Sequence, residues 1–221
     1  MSSSPHSIEP LGDAALLVRL GDAIDESTHM RVRLAHARLS HMLATAAVFD
    51  VVPAFTTVAV HYDPARTTYQ ALVPRVADLL RQLEAERLPE SRQVTIPVRY
   101  GGGYGPDLEH VARHAGLTPE EVVRLHAAGD YLVHMIGFAP GFPYLGGLDP
   151  RLACPRRDQP RTRVPNGSVG IGGSQTGIYP FDSPGGGQLI GRTEVVLFDA
   201  DRQPPSLLAA GDRVRFTVIE R

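Results

Sequence analysis

The chain has 221 residues, of which 43% are hydrophobic, and a formal net charge of −2 at pH 7. This balance excludes the basic surface that nucleic-acid binding needs, and no apolar run approaches the roughly 18 residues of a membrane span. All 22 basic residues are arginine, which excludes a Walker A lysine, a Schiff-base lysine and a biotinyl-lysine.

Residues 1–88 are predicted to form a small α/β domain, because β-rich runs alternate with apolar residues at helical spacing. Met30 and Val32 each begin an apolar row on the first helix, and Pro74 should kink the second helix or mark its true start. The order β-α-β-β-α favours an antiparallel sheet with two helices on one face. The expected elements are a strand at 14–20, a helix from a cap at Asp25 to about 43, strands at 47–52 and 56–62, and a helix at about 68–83.

A second domain is predicted at 89–221, because the polar segment 84–92, which contains Pro89, has the composition of a domain boundary. Between Gly137 and Thr193, 13 of 57 residues are glycine and 8 are proline, interleaved with aromatic and aliphatic side chains. This stretch predicts short strands joined by tight turns, with backbone amides free to meet a ligand or partner. The alternative is a turn-rich barrel without a site.

The second domain is expected to be a closed antiparallel β-barrel with two short helices over its ends. Thr118, Pro119 and Glu121 match a capping box, which sets the start of the second helix. The glycine-rich loop at 100–106 matches neither a dinucleotide fingerprint nor a P-loop, so a plain loop is favoured over a phosphate cradle. The expected elements are strands at 93–99, 131–136, 168–171, 177–181, 188–193, 195–199 and 213–219, and helices at 107–114 and 118–128.

Four histidine and cysteine side chains are candidates for chemistry. His110 and His114 lie on one helix face at a zinc-binding spacing, but no third ligand is apparent, so no metal site is expected. His134 lies mid-strand, which favours a barrel histidine over a catalytic base. Cys154 has no partnering base and is expected to act as a small hydrophobe. It is the single cysteine, and the N-terminus does not resemble a signal peptide, so a cytoplasmic location is expected.

Polar side chains near the glycine-rich stretch leave several alternatives open. Arg192 lies inside a β run and needs a partner there, which is either a bound anion or a structural ion pair. Ser183 either lines an anion or oxyanion pocket or closes its own turn. One or two members of a nearby arginine cluster can pair with a carboxylate or phosphate, while the others are expected to be solvated. The cluster comprises Arg156, Arg157, Arg161 and Arg163.

Several long motifs follow one another along the chain: GDAALLVRLGD at 12–22, GFAPGFPYLGGL at 137–148, SVGIGGSQTGIYP at 168–180 and SPGGGQLIGRT at 183–193. Together they resemble the family of the B subunit of bacterial 5-oxoprolinase. The same family is labelled allophanate hydrolase subunit 1, sporulation-kinase-inhibitor-like, or carboxyltransferase subdomain C and D. The resemblance implies an α+β fold, with a small N-terminal α/β sandwich domain followed by a cyclophilin-like antiparallel β-barrel domain.

The resemblance also implies an activity and partners. The chain would be one subunit of an ATP-dependent complex that opens 5-oxoproline to glutamate. ATP with Mg would be used in the complex, with no cofactor bound covalently. The partners would be a subunit-C-like protein, of the allophanate hydrolase subunit 2 type, and the lactam-hydrolase (A-type) component, and the chain alone would be inactive. A histidine-kinase-inhibiting module and a carboxyltransferase half of the urea carboxylase type share the fold, so the sequence leaves them open. A proline isomerase rests on fold analogy alone.

The site is hypothesised to be one groove of the barrel, from the family motifs and the turn-rich stretch. In the family an aromatic residue usually follows SPGG, where this chain has Gly187, so Tyr179 or Phe181 would have to supply that surface. The hypothesised catalytic residues are Arg163, Gln175 and Arg192. The hypothesised residues for binding substrate or nucleotide are Thr176, Tyr179, Ser183, Gly185, Gly186 and Gly187.

Overall fold

The computed structural model describes residues 6–45, 47–81, 83 and 90–219. The chain divides into two compact units, Met1–Glu90 and Ser91–Arg221. Most of the predicted boundary segment, residues 84–92, lies outside the described residues. Among the helices in the described ranges, none is long and apolar enough to cross a membrane. The fold is of the α+β class, and each unit has its own hydrophobic core.

The first unit is a four-stranded antiparallel sheet with two α-helices. Alternate residues of its central strands are buried, as in Val58, Val60 and Tyr62, because successive side chains of a strand point to opposite faces. The buried apolar residues of both helices join the same core. The elements are β1 Ser7–Pro10, β2 Ala15–Arg19, α1 Glu26–Leu39, β3 Val48–Pro53, β4 Thr57–Tyr62 and α2 Tyr69–Leu80. The strands lie in the order β1-β2-β4-β3.

The helix starts of the first unit follow local chemistry. The carboxylate of Asp25 accepts a hydrogen bond from the amide of Thr28 at 2.7 Å, which caps α1 as predicted. Both predicted apolar rows begin within α1; the row that begins at Val32 is buried, whereas Met30, which begins the other row, is 46% exposed. Pro74 lies inside α2 and does not mark its start.

The second unit contains a closed seven-stranded barrel and a separate pair of strands. The side chains of Ile96, Val133, Leu145 and Ile171 fill its core. The barrel strands are β5 Gln93–Tyr100, β6 Tyr131–Ile136, β7 Pro143–Gly146, β9 Ser168–Gly172, β10 Gln175–Ile178, β12 Gln188–Arg192 and β13 Arg213–Val218. Their order around the barrel is β10-β7-β6-β13-β5-β12-β9, and β9 pairs with β10 to close it. The separate pair is β8 Arg161–Val164 and β11 Ser183–Gly185.

Two helices of the second unit, α3 Leu108–Ala115 and α4 Pro119–Ala128, contribute Val111 and Val122 to the barrel core. The predicted capping box at the start of α4 is confirmed. The amide of Glu121 donates to Oγ1 of Thr118 at 3.2 Å, and the amide of Thr118 donates to the Glu121 carboxylate at 2.8 Å. These reciprocal bonds satisfy two of the amides that a helix start leaves without partners.

The prediction of a fully antiparallel barrel is wrong at one pair, because β13 runs parallel to β5 in the register Gln93↔Arg213 to Val98↔Val218. These strands are far apart in sequence, so no tight hairpin imposes an antiparallel arrangement. The predicted strand at 195–199 is also wrong. Within this segment only Phe198 forms a β-bridge, to Ser206, beside amide–carbonyl bonds from Asp199 to Pro205 and from Leu207 to Leu197. Arg202, in the turn between the two segments, donates to the same Leu197 and Pro205 carbonyls.

Candidate functional site

A cavity of about 300 Å³ lies in the second unit, and its lining comes mainly from the glycine-rich stretch. Strands β7, β9, β10 and β11 contribute to its walls, together with the turn that joins β11 to β12. Concave sites of this size with mostly apolar walls and a few polar groups are typical of small-molecule binding.

Four aromatic side chains form the apolar wall of the cavity: Phe138, Phe142, Tyr144 and Tyr179. Phe142 is at their centre, with ring centroids 5.3 Å from Phe138, 5.1 Å from Tyr144 and 5.3 Å from Tyr179, all in edge-to-face geometry. Phe138 has a φ of 66° and is 64% exposed. The wall therefore offers aromatic surface against which a small flat ligand can pack.

Glycine is needed where this wall meets the backbone. A Cβ built at Gly177 would lie 2.8 Å from Cζ of Phe142, and one at Gly185 would lie 2.6 Å from the ring of Tyr179. The amide of Gly187 donates to the Tyr179 hydroxyl at 3.3 Å. The sequence predicted that the backbone amides of residues 185–187 are free to bind a ligand. The amide of Gly187 is not free, because it donates to Tyr179. Tyr179 supplies aromatic surface near Gly187, whereas Phe181 is not part of the lining.

The polar groups of the lining are Arg156, Gln175, Thr176 and the tyrosine hydroxyls. Arg156 makes no hydrogen bond or ion pair with any residue that the structure describes. Its neighbours differ, because Arg157 and Arg161 both approach Oδ1 of Asp107, at 3.4 and 2.8 Å. The wall therefore carries a guanidinium whose charge has no acidic partner among the described residues.

A buried chain of hydrogen bonds connects the barrel core to the cavity wall. The Tyr100 hydroxyl lies 2.8 Å from Nδ1 of His126, whose Nε2 lies 3.0 Å from Oγ1 of Thr176, and Thr176 donates to the carbonyl of Gly170 at 3.0 Å. Because Thr176 uses its proton on Gly170, it accepts from Nε2–H of His126. Nδ1 then accepts from Tyr100, which fixes the tautomer.

His126 is fully buried, and burial lowers its pKa to about 3. Burial also raises the pKa of Tyr100, so both groups are neutral near pH 7. Because the lone pair on Nδ1 is occupied, the imidazole is not free to act as a base. Its role in this geometry is to hold the Thr176 hydroxyl in one orientation at the cavity wall.

The cavity lining includes six of the nine hypothesised site residues: Gln175, Thr176, Tyr179, Gly185, Gly186 and Gly187. The remaining three, Arg163, Ser183 and Arg192, are not among the residues that line this cavity, so their place in one site with the other six stays a prediction. Ser183 lies in β11 opposite Val164, and its hydroxyl has no partner among the described residues, so the predicted self-closing turn is absent.

The two excluded arginines have contacts elsewhere. Arg163 is exposed and pairs with Asp182, whose carboxylate is 2.6 Å from Nη2 and 2.8 Å from Nε. Hydrogen bonds from the Asn166 amide and from Arg163 lower the pKa of Asp182. Arg192 packs over the Tyr104 ring at 5.6 Å and approaches the Gly103 carbonyl at 3.5 Å. The charge of Arg192 also contributes to lowering the pKa of Asp182, so a carboxylate lies within electrostatic reach of this guanidinium, and the prediction of an anion contact stays a prediction.

The remaining candidates lie away from the cavity. Cys154 is 1% exposed and burial raises its pKa, which fits the predicted small hydrophobe. His134 is buried within β6, and burial lowers its pKa. His110 and His114 are exposed on α3, and the described residues contain no group of three or more side chains that could hold a metal ion.

Sequence reasoning did not single out His126, and it left Arg156 as one member of a cluster. The available signal for His126 was its position four residues after Val122, which puts both on the buried face of α4. No sequence signal distinguished Arg156 from the rest of the cluster. It lacks an acidic partner among the described residues because the fold brings Asp107 to Arg157 and Arg161 instead.

Comparison with known proteins gives a consistent family assignment. The model of the carboxyltransferase domain, subdomain C and D, matches residues 6–208. The B subunit of 5-oxoprolinase from Bacillus subtilis is 43% identical over 228 residues, covering 97% of this chain and 93% of that protein.

Solved structures agree with this assignment. The structure of TTHA0988 is 40% identical with a TM-score of 0.83, and the match covers 95% of this chain and 41% of that chain. The chain thus spans less than half of that structure. The urea amidolyase of K. lactis has a TM-score of 0.80 at 21% identity, covering 97% of this chain and 15% of that chain, which shows a likeness of fold alone.

Proposed function

Since this chain belongs to the family of the 5-oxoprolinase B subunit, within the carboxyltransferase domain, subdomain C and D, we propose that it is one component of an ATP-dependent complex that opens 5-oxoproline to glutamate. Its cavity receives the lactam. The observation that carries this proposal is the pairing, in one cavity, of an aromatic wall with a guanidinium that has no acidic partner among the described residues. A lactam with one carboxylate has the matching flat ring and the matching charge.

The residues of the chain bind and orient the substrate. Edge-to-face rings around Phe142 pack against the ring of the lactam and exclude water from it. Thr176, held by His126 and Gly170, and the side-chain amide of Gln175 offer hydrogen bonds to the lactam amide. Groups held in this way contribute to catalysis by fixing the reacting amide in one position.

The cavity does not fit a magnesium nucleotide. Its lining, as far as the structure describes it, contains no aspartate or glutamate that could hold Mg²⁺, and one arginine is too little for a triphosphate. ATP supplies the phosphoryl group that activates the lactam oxygen. We therefore place the nucleotide on the other components of the complex, which agrees with the absence of lysine from this sequence.

The proposed partners are a subunit-C-like protein and the lactam-hydrolase component. The test is size-exclusion chromatography of mixtures, combined with a coupled assay of phosphate release. We expect the chain alone to show no 5-oxoproline-dependent phosphate release. The chain should co-elute with the subunit-C-like partner, and the addition of the lactam-hydrolase component should give turnover to glutamate. Robust 5-oxoproline-dependent phosphate release by the chain alone would contradict the proposal that the other components bind the nucleotide.

Carboxyl transfer is a second candidate, supported by the family description of a carboxyltransferase domain. In that reaction the biotin would be carried by another chain, because this one has no lysine. A complex that forms with the subunit-C-like partner but does not open 5-oxoproline, and instead exchanges carboxylate with biotin, would favour this candidate over the first.

A further inference from the structure

We propose that Arg156 binds the carboxylate of the ligand, so that the cavity selects a small cyclic amide that carries one carboxylate over the same ring without it. The identity of the ligand as 5-oxoproline rests on the proposed function, whereas the requirement for a carboxylate rests on the cavity itself.

The first support is the distribution of charge around the cavity. Asp107 is 6% exposed and is the acidic residue that two of the neighbouring arginines, Arg157 and Arg161, approach. Its Oδ2 accepts the amide of Leu189 at 2.7 Å, so both oxygens are occupied. Arg156, which lines the cavity, keeps its charge unpaired among the described residues. A planar guanidinium matches a carboxylate, because it can donate two parallel hydrogen bonds.

The second support is that the backbone holds Arg156 in place. Cys154 and Gly173 exchange amide–carbonyl bonds of 3.1 and 2.8 Å, and the amide of Arg157 donates to the Gly186 carbonyl at 2.8 Å. Between them, the carbonyl of Pro155 accepts from the side chain of Gln188 at 2.9 Å. Residues on both sides of Arg156 are therefore attached to the barrel. A cation placed by a fixed backbone loses less entropy on binding than one on a loose loop.

The third support is the room that Gly172 leaves for the arginine side chain. A Cβ built at Gly172 would lie 3.1 Å from Nε and 3.3 Å from Cγ of Arg156. The side chain therefore lies across the backbone of β9, in the same lining as Gln175 and Thr176. One cavity thus holds both a charge for a carboxylate and hydrogen-bonding groups for an amide, which are the two polar features that a lactam acid presents.

Binding measurements on the full chain test the proposal, with 5-oxoproline and 2-pyrrolidinone, the same lactam without the carboxylate, as probes. Arg156→Gln removes the charge, Arg156→Lys keeps the charge without the planar fork, and Arg151→Gln is the matched control. Arg151 is an exposed arginine that pairs with Asp149 outside the cavity. Calorimetry or NMR titration gives the affinities, and thermal melts verify that each variant is folded.

We expect Arg156→Gln to weaken 5-oxoproline binding about 10- to 100-fold, Arg156→Lys to weaken it less, and Arg151→Gln to leave it unchanged. Wild-type chain should bind 2-pyrrolidinone as weakly as Arg156→Gln binds 5-oxoproline. Equal affinity of wild type and Arg156→Gln for 5-oxoproline would overturn the proposal, as would equal affinity of the wild type for both probes.

The assembled complex separates this inference from the proposed function. If the complex opens 5-oxoproline and Arg156→Gln leaves its KM unchanged, the function stands and the carboxylate role is overturned. If the complex is inactive but the chain binds 5-oxoproline through Arg156, the carboxylate role stands and the function fails. Failure of both the chain and the complex to bind 5-oxoproline overturns both.

Discussion

Nε2 of His126 lies 3.0 Å from Oγ1 of Thr176, which connects a fully buried imidazole to the wall of the cavity. Two further hydrogen bonds extend this contact, one between His126 and the Tyr100 hydroxyl and one from Thr176 to the Gly170 carbonyl. Every polar group in this series of hydrogen bonds therefore has a partner. Phe216 stacks on the imidazole at 4.6 Å, which keeps the ring from rotating out of line. The cavity thus has a rigid polar group on one wall and aromatic surface on another.

The Thr176 hydroxyl tests this chain of hydrogen bonds most simply. Thr176→Val keeps the shape of the side chain but leaves Nε2–H of His126 buried without an acceptor, so the free energy of unfolding should fall by about 1–3 kcal/mol. Thr176→Ser keeps the hydroxyl and should lose less. Urea unfolding of both variants gives the comparison, and equal losses for Val and Ser would show that the hydroxyl does not stabilise the protein.

The depressed pKa of His126 predicts how stability depends on pH. The folded-state pKa is about 3 against an unfolded value of 6.5, so below pH 6.5 the unfolded chain binds a proton that the folded chain does not. Stability contributed by this histidine is therefore present above pH 6.5 and is lost as pH falls towards 3. At pH 5 the loss should be about 2 kcal/mol.

Denaturant unfolding of the wild type and of His126→Gln between pH 7.5 and 5 isolates this contribution. His36 and His134 also have pKa values lowered by burial, so they reduce stability at low pH in both proteins. The wild type should lose more stability than the variant over this range. Parallel curves would mean that His126 is protonated in the folded state.

Local chemistry was predictable from the sequence, and long-range pairing was not. The capping box at Thr118 and the cap at Asp25 depend on residues within three positions, and both were predicted. The parallel pairing of β13 with β5 joins residues more than 100 positions apart, and nothing in either strand specifies its direction. The segment 195–199 pairs with 205–207 through one isolated bridge at Phe198, and apolar periodicity does not indicate how far such a pairing extends.

In the candidate site, too, residues that are close in sequence were predicted correctly and long-range contacts were not. Gln175, Thr176 and Tyr179 lie in one motif that supplies β10 and the residue after it, so the sequence predicted that they belong together. Arg163 was grouped with them by motif, but the exposed Asp182 holds it outside the lining. Arg156 is unpaired among the described residues because Asp107 contacts other arginines, and His126 contacts the cavity wall because it lies next to Thr176. Both facts depend on contacts between residues far apart in sequence, which a single sequence does not reveal.

Gly185, at the end of β11, and Gly186, the next residue, should differ in how much an alanine substitution destabilises the protein. A Cβ at Gly185 would lie 2.6 Å from the Tyr179 ring, whereas the nearest atom to one at Gly186 is 3.8 Å away. Gly185→Ala should destabilise the chain by about 1–3 kcal/mol, because the ring must shift. Gly186→Ala should change stability little. Thermal melts make the comparison, and equal melting temperatures would contradict the close packing of Tyr179 on residue 185.

The capping box gives a prediction that is independent of the cavity. Thr118→Ala removes the acceptor for the Glu121 amide and should cost about 1 kcal/mol, while Thr118→Ser keeps it. Denaturant unfolding of the two variants measures the difference. If the alanine variant has the wild-type midpoint, the cap does not contribute to the stability of the second unit.

The most direct test of the central claim is 5-oxoproline-dependent phosphate release by the assembled complex with Gly186→Leu in this chain. Gly186 lines the cavity and has no positive φ, and a Cβ there would meet its nearest neighbours at 3.8 Å, an ordinary contact distance, so a leucine there should reduce the volume of the cavity. Gly186→Ala is the control for the backbone change. We predict that the leucine complex assembles normally but releases phosphate at least about 10-fold more slowly at the same 5-oxoproline concentration, as expected for lost substrate binding. Full turnover by that complex would show that the lactam is opened elsewhere.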